Sequence, residues 1–252
     1  MSINKKYQDY IYILPFILIF IFLLIENISF MNTEEYRKVS PFAKLEKITA
    51  LPEIQQNIDL YSNTSLQKYV SEETKVPKEY IPPLLKKIES ELIKFNPNEK
   101  HQLVLQAKNG LEALSEKFYQ TFKAKKHNYY IYINSSYRPR TAQYYLLKEG
   151  CSNARCASIG ASEHQLGLAV DLAIWKKDKT RGEDKIALKG EHLTRMKKNA
   201  YKYGFINTYQ KGITIDGKFK EARHRRYVGI KLAKYLHYKK LSFSEFYQLQ
   251  QK

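Results

Sequence analysis

Two cysteines are all that the sequence holds, Cys151 and Cys156, close together in "GCSNARCAS". No second Cys/His pair stands at zinc-finger spacing, which argues against a cysteine metal site. In an oxidising compartment the pair would close a small disulfide loop, worth about 2 kcal/mol in the chain-entropy model. In a reducing one they are two thiols in a loop. Helix-turn-helix and RNP signatures are missing too, and the lysines are scattered rather than blocked, so nucleic acid is the weaker partner reading. Internal repeats and low-complexity tracts are absent. Acidic residues are short: 25 Asp and Glu against 43 Lys and Arg leave a net charge of +18. That imbalance suggests an anionic setting, either an acidic membrane surface or an acidic cell-wall polymer. With 27% charged and 43% hydrophobic residues the balance is otherwise that of a globular chain.

Charge is also missing from "YIYILPFILIFIFLLI", Tyr10 to Ile25, which follows Lys5 and Lys6. As a helix this run is about 24 Å long, a little short of the roughly 30 Å hydrocarbon core, and Tyr10 and Tyr12 would extend it at headgroup level. A cleaved signal peptide is the rival reading, but no A-x-A-like site follows. The sequence therefore predicts a short cytoplasmic segment (1–9), a single-pass transmembrane signal-anchor (10–30), a partly helical stalk (31–76) and a folded domain (77–252). Arg37 and Lys38 follow the span closely, so charge alone leaves its orientation open.

Within the domain, "VPKEYIPPLLKKIESELIKF" predicts an extended approach through Pro77, Pro82 and Pro83, then a helix. Leu103, Leu111, Leu114, Phe118 and Phe122 recur at helical spacing over 101–125 and predict a core-facing helix. "YYIYINSSYR", "LGLAVDLAIW" and "HRRYVGI" read as strands. "RTAQYYLLKE", "EHLTRMKKNAYKYG" (with Gly204 as its stop) and "IKLAKYLHYKK" read as helices. The elements do not alternate as βαβ units, which favours α+β with a small antiparallel sheet and flanking helices.

Polar chemistry gathers at three strand ends: "SSYRPRTAQ", "SEHQLGLAVD" and "EARHRRYVG". Asp171, between Val170 and Leu172, sits in a run that should be buried and so needs a partner. His164 and Asp171 lie seven apart and face opposite ways in a regular strand. They can share a site only if the chain bends between them, and Gly167 permits it. Glu221 and His224 likewise need a turn, with Glu221 outside the strand and His224 at its start. Two histidines and a carboxylate are a three-ligand set that leaves a fourth position for water, the pattern of a catalytic zinc site. Such a site also wants a base, which Glu221 could be, and a cation for developing charge, which Arg138 could be.

The order S-x-Y-R, S-x-H-x-x-G-x-A-x-D and E-x-x-H-x-R-Y-V-G, over about Tyr80 to Ala233, resembles the VanY-type D-alanyl-D-alanine carboxypeptidases, zinc peptidases of peptidoglycan stems. The resemblance implies a hedgehog/DD-peptidase-like zinc fold holding one Zn2+. It implies His164, Asp171 and His224 as ligands, Glu221 as catalytic base and Arg138 as transition-state stabiliser. Ser135, Gln143 and Ser162 become substrate-pocket or supporting residues. It further implies stem peptides as substrate, a catalytic domain outside the cytoplasmic membrane, and no obligate protein partner. L,D-carboxypeptidase or endopeptidase action stays open on the same scaffold, as does a non-catalytic wall-binding module. Ala222-Arg223 and Ile159-Gly160 depart from the family's usual Pro-Trp and Pro-Gly, which bears on substrate preference.

Overall fold

The computed structural model describes residues 58–178 and 182–251. The apolar run at 10–30 lies outside them, and no helix among the described residues is long and apolar enough to cross a membrane.

A Tyr/Ile run builds strand β4 (Asn128–Ser135) and a nearly continuous buried run opens the ten-residue β5 (Ala169–Asp178), and the two pair antiparallel. The other edge of β5 is shared. Its first residues pair with β8 (His224–Tyr227), and its last with β6 (Gly182–Ile186). Strand β7 (Phe205–Ile206) continues the sheet beyond β8, and β2 (Ile93–Lys94) lies outside β4. A two-stranded antiparallel ladder, β1 (Leu85–Lys87) with β3 (Gln102–Val104), stands apart.

Helix α1 (Leu105–Lys123) supplies the core its largest faces: Leu111, Leu114, Phe118 and Phe122 are buried with Ile131, Ile133, Leu172 and Ile174 of the sheet. Around this layer stand α2 (Arg140–Lys148), α3 (Gly190–Asn199), the single turn α4 (Ile213–Asp216), α5 (Ile230–Lys239) and α6 (Phe243–Leu249). Helix α6 starts on a capping box at Ser242 and Glu245. After α3 a 3-10 turn ends at Gly204, whose φ of 86° stops it where the sequence predicts.

Three features differ from the sequence reading. No helix follows Pro83. Leu84 takes a left-handed φ of 53°, and the chain then runs extended as β1 and β2. Ile88 and Ile93 reach the core from extended chain, so tertiary pairing outweighs the helix-forming Leu, Lys and Glu there. The sheet is mixed rather than wholly antiparallel, because β2 pairs parallel to β4. Residues 58–76, within the segment read as a stalk, pack on the domain: Leu60, Val70 and Val76 are buried, and Arg226 donates to the carbonyls of Leu66 and Lys68 at 3.1 and 2.9 Å.

Candidate metal centre and cleft

Register across three strands brings the polar motifs into a row. Asp171 on β5 is opposite Ser135 on β4 and His224, the first residue of β8. Directly opposed residues share a face, so these three project to one side. His164 arrives differently. It sits in a 3-10 turn, Glu163–Leu166, that ends at Gly167 with φ 64°. A Cβ on Gly167 would come within 2.8 Å of Leu85 Cδ2, so the position demands glycine for space as well as conformation. The bend that the sequence requires between His164 and Asp171 is this turn.

His164, Asp171 and His224 offer donor atoms all within 4.8 Å of one another. His164 Nε2 lies 3.4 Å from Asp171 Oδ2, and His224 Nδ1 lies 3.2 Å from Asp171 Oδ1. Donors bound tetrahedrally to one zinc stand about 3.3–3.5 Å apart, so the spacing fits. The remaining ring nitrogens are held from behind. His164 Nδ1 meets the Ser136 carbonyl at 2.7 Å, and His224 Nε2 meets Glu163 Oε2 at 2.7 Å. Thr208 donates to the same Glu163 oxygen at 2.8 Å. A carbonyl and a carboxylate behind the two imidazoles fix which nitrogens face the metal and raise their basicity.

The electrostatics agree. Burial pushes the Asp171 carboxyl up, but His164 and His224 outweigh it and hold it well below the usual carboxylate range. Burial pushes His224 down, and Asp171 and Glu163 overcome that to raise it to about 9.

These residues line a cleft of about 840 Å3. Glu221 is outside the strand, as its spacing predicts, and faces the cleft. Its backbone is tied down by Tyr209 and by the Asn207 amide, and Arg223 Nε donates to its Oε1. Arg138 faces the cleft from the β4–α2 connection. Its backbone N–H donates to the His164 carbonyl at 3.1 Å. Burial lowers the Arg138 pKa, opposed by Asp171 and Glu221.

Ser162 lines the cleft, whereas Ser135 and Gln143 stand behind Arg138. Their oxygens accept from its Nη2 and Nη1 at 3.0 and 2.9 Å, and the Gln143 amide is anchored on the Ala157 carbonyl. Cys151 and Cys156 form a disulfide at the cleft wall. Sequence reasoning missed Glu163, Thr208 and Ser136. Glu163 carried one available signal, a carboxylate beside a ligand in a segment bound to be buried.

Two imidazoles and a carboxylate, with a glutamate and an arginine facing the same cleft, make up the donor set of a catalytic rather than structural metal centre. The family is defined by sequence: residues 105–230 match the VanY family, described as D-alanyl-D-alanine carboxypeptidase, and the chain belongs to it. A D-alanyl-D-alanine carboxypeptidase of Enterococcus faecalis is 38% identical over 89 residues, 34% of this chain and 30% of that protein. YodJ of Bacillus subtilis is 31% identical over 166 residues, 62% of this chain and 58% of that one. The chain thus spans well under two thirds of the length of either curated relative. Among solved structures, the LdcB LD-carboxypeptidase superposes with a TM-score of 0.59 at 26% identity, over 74% of this chain and 87% of that one. A vancomycin-resistance D,D-pentapeptidase VanY in complex with Zn(II) has the same fold. Its TM-score is 0.52 at 23% identity, over 73% of this chain and 98% of that one.

Proposed function

We propose that this protein is a zinc carboxypeptidase that removes the terminal D-alanine from peptidoglycan stem peptides. The observation that carries the reading is the convergence of His164, Asp171 and His224 in a cleft that Glu221 and Arg138 also face. When bound, zinc supplies a Lewis acid for the scissile carbonyl and acidifies a water. Glu221 Oε1 is occupied by Arg223, so Oε2 takes the proton of the attacking water and passes it to the leaving amine. Arg138, held rigid by Ser135 and Gln143, meets the negative charge that develops on the substrate. Tethering by the apolar segment at 10–30 would hold this chemistry against the wall outside the cytoplasmic membrane.

Removal of D-alanine from a tetrapeptide is the second reading, and the likeness to an LD-carboxypeptidase favours it. Mass spectrometry of defined penta-, tetra- and cross-linked muropeptides, with and without chelator, tests both. Chelator-sensitive release of one alanine from the pentapeptide is expected. Release from the tetrapeptide alone establishes the second reading, and cleavage of cross-linked substrates alone overturns both.

A further inference from the structure

A second cavity, of about 610 Å3, borders the same loop, and the proposed reaction makes no use of it. His224 and Arg225 are successive residues of β8 and point to opposite faces of the sheet. His224 faces the metal cleft; Arg225 lines the second cavity. Part of the wall is apolar, built from Phe205, Leu236 and the stacked rings of Tyr201 and His237, whose centroids are 3.6 Å apart. Lys197, Lys220 and Lys240 also line it, and none has an ion-pair partner among the described residues. Of the carboxylates close by, Glu221 is engaged by Arg223, and Glu245 lies 3.6 Å from Lys211.

Arg225 is the unusual element. It is 1% exposed, its Nη1 donates to the His224 carbonyl at 2.7 Å, and its Nη2 has no partner. Among the described residues no carboxylate pairs with it. A buried, uncompensated guanidinium is costly, and native structures rarely leave such donors unpaired. A water could satisfy Nη2 but would leave this buried charge without a counter-charge.

We propose that this cavity is a second binding site, taking a carboxylate- or phosphate-bearing ligand whose anion meets the lysines, with the buried Arg225 guanidinium adding attraction from behind the wall. The ligand's apolar part lies on the Tyr201–His237 wall. Guanidinium favours such oxyanions, and the lysines add attraction at the mouth. Because Tyr209, Lys220, Glu221 and Ala222 border both cavities, an occupant rests against the segment that carries Glu221.

The test is a titration of the full, zinc-loaded chain with inorganic phosphate, a glycerol-phosphate oligomer and N-acetyl-glutamate. Calorimetry gives the affinity, and the His237 ring resonances report occupancy of the cavity. At least one anion should shift His237, with tenfold or more loss of affinity in Arg225→Gln and severalfold loss in the Lys197→Ser/Lys240→Ser double variant. The double variant changes only lysines at the cavity lining and carries the test if Arg225→Gln does not fold. Binding of the oligomer but not N-acetyl-glutamate identifies a phosphodiester source, and the reverse a peptide carboxylate; either supports the site. An unmoved His237 with all three probes, or affinities unchanged in the variants, overturns it.

Discussion

Arg138 and Glu221 face one cleft, and under the proposed function their substitutions should separate. Arg138→Ala should lower kcat by about 10²–10³-fold, the loss typical of an oxyanion donor, with bound zinc unchanged. A near wild-type kcat would remove Arg138 from the chemistry. Glu221→Gln should retain stoichiometric zinc by metal analysis and lose turnover; loss of the metal instead would make Glu221 a ligand. Glu163 belongs to a third category, since it touches the metal site only through His224 Nε2. Glu163→Gln should weaken zinc binding by about 10–100-fold in competition with a chromogenic chelator. At saturating zinc, kcat should fall much less than the affinity does. The sequence already singles out the three candidate donors, Asp171 by its apolar neighbours and the two histidines by their motifs, and the structure brings them together. Glu163 offered only its place in a buried segment, because the partner that explains it is 61 residues away in sequence.

Elements were legible in proportion to their length and their independence from distant partners. The 19-residue α1 announces itself by Leu111, Leu114, Phe118 and Phe122, though Leu103, read with them, belongs to β3, and β4 and β5 announce themselves by their Tyr/Ile and Val/Leu runs. The stretch after Pro83 misleads because Leu, Lys and Glu favour a helix while its pairings lie elsewhere: Lys86 with Leu103, Ile93 with Ile131. Two- and three-residue strands carry no period to read. The turn at Gly167 is where element and site meet, and Gly167→Ala tests it. A left-handed alanine costs about 1–2 kcal/mol before its clash with Leu85 is counted. Calorimetry should show Tm lower by several degrees, and zinc affinity should fall because His164 shifts with the turn.

For the molecule as a whole, the metal-free state should show its own pH dependence. His224 titrates near 9 when folded and near its ordinary 6.5 when unfolded. A raised folded pKa means that its stabilisation is complete below 6.5 and is lost as pH rises through about 9. Asp171 is depressed, so its contribution is present above 3.8 and lost as pH falls below that. Urea unfolding of chelated protein should therefore show stability declining between pH 6.5 and 9, by at most about 3 kcal/mol from His224. Zinc-loaded protein should not show this decline, because the proton has been displaced. Equal slopes with and without metal would count against the ligand set.

The divided edge of β5 has a consequence for how such a protein can diverge. Its first residues and β8 carry two of the three candidate donors, Asp171 and His224, while its far half pairs antiparallel with β6. The chain returning from that hairpin, Lys185 to Leu188, forms one wall of the cleft without contributing a donor. Insertions or exchanges past Trp175 can therefore remodel what the cleft admits while leaving the reaction centre in register. Under the proposed function, what the cleft admits and what happens at its floor would rest on separate lengths of one strand, so that the first could be altered while the second keeps its register.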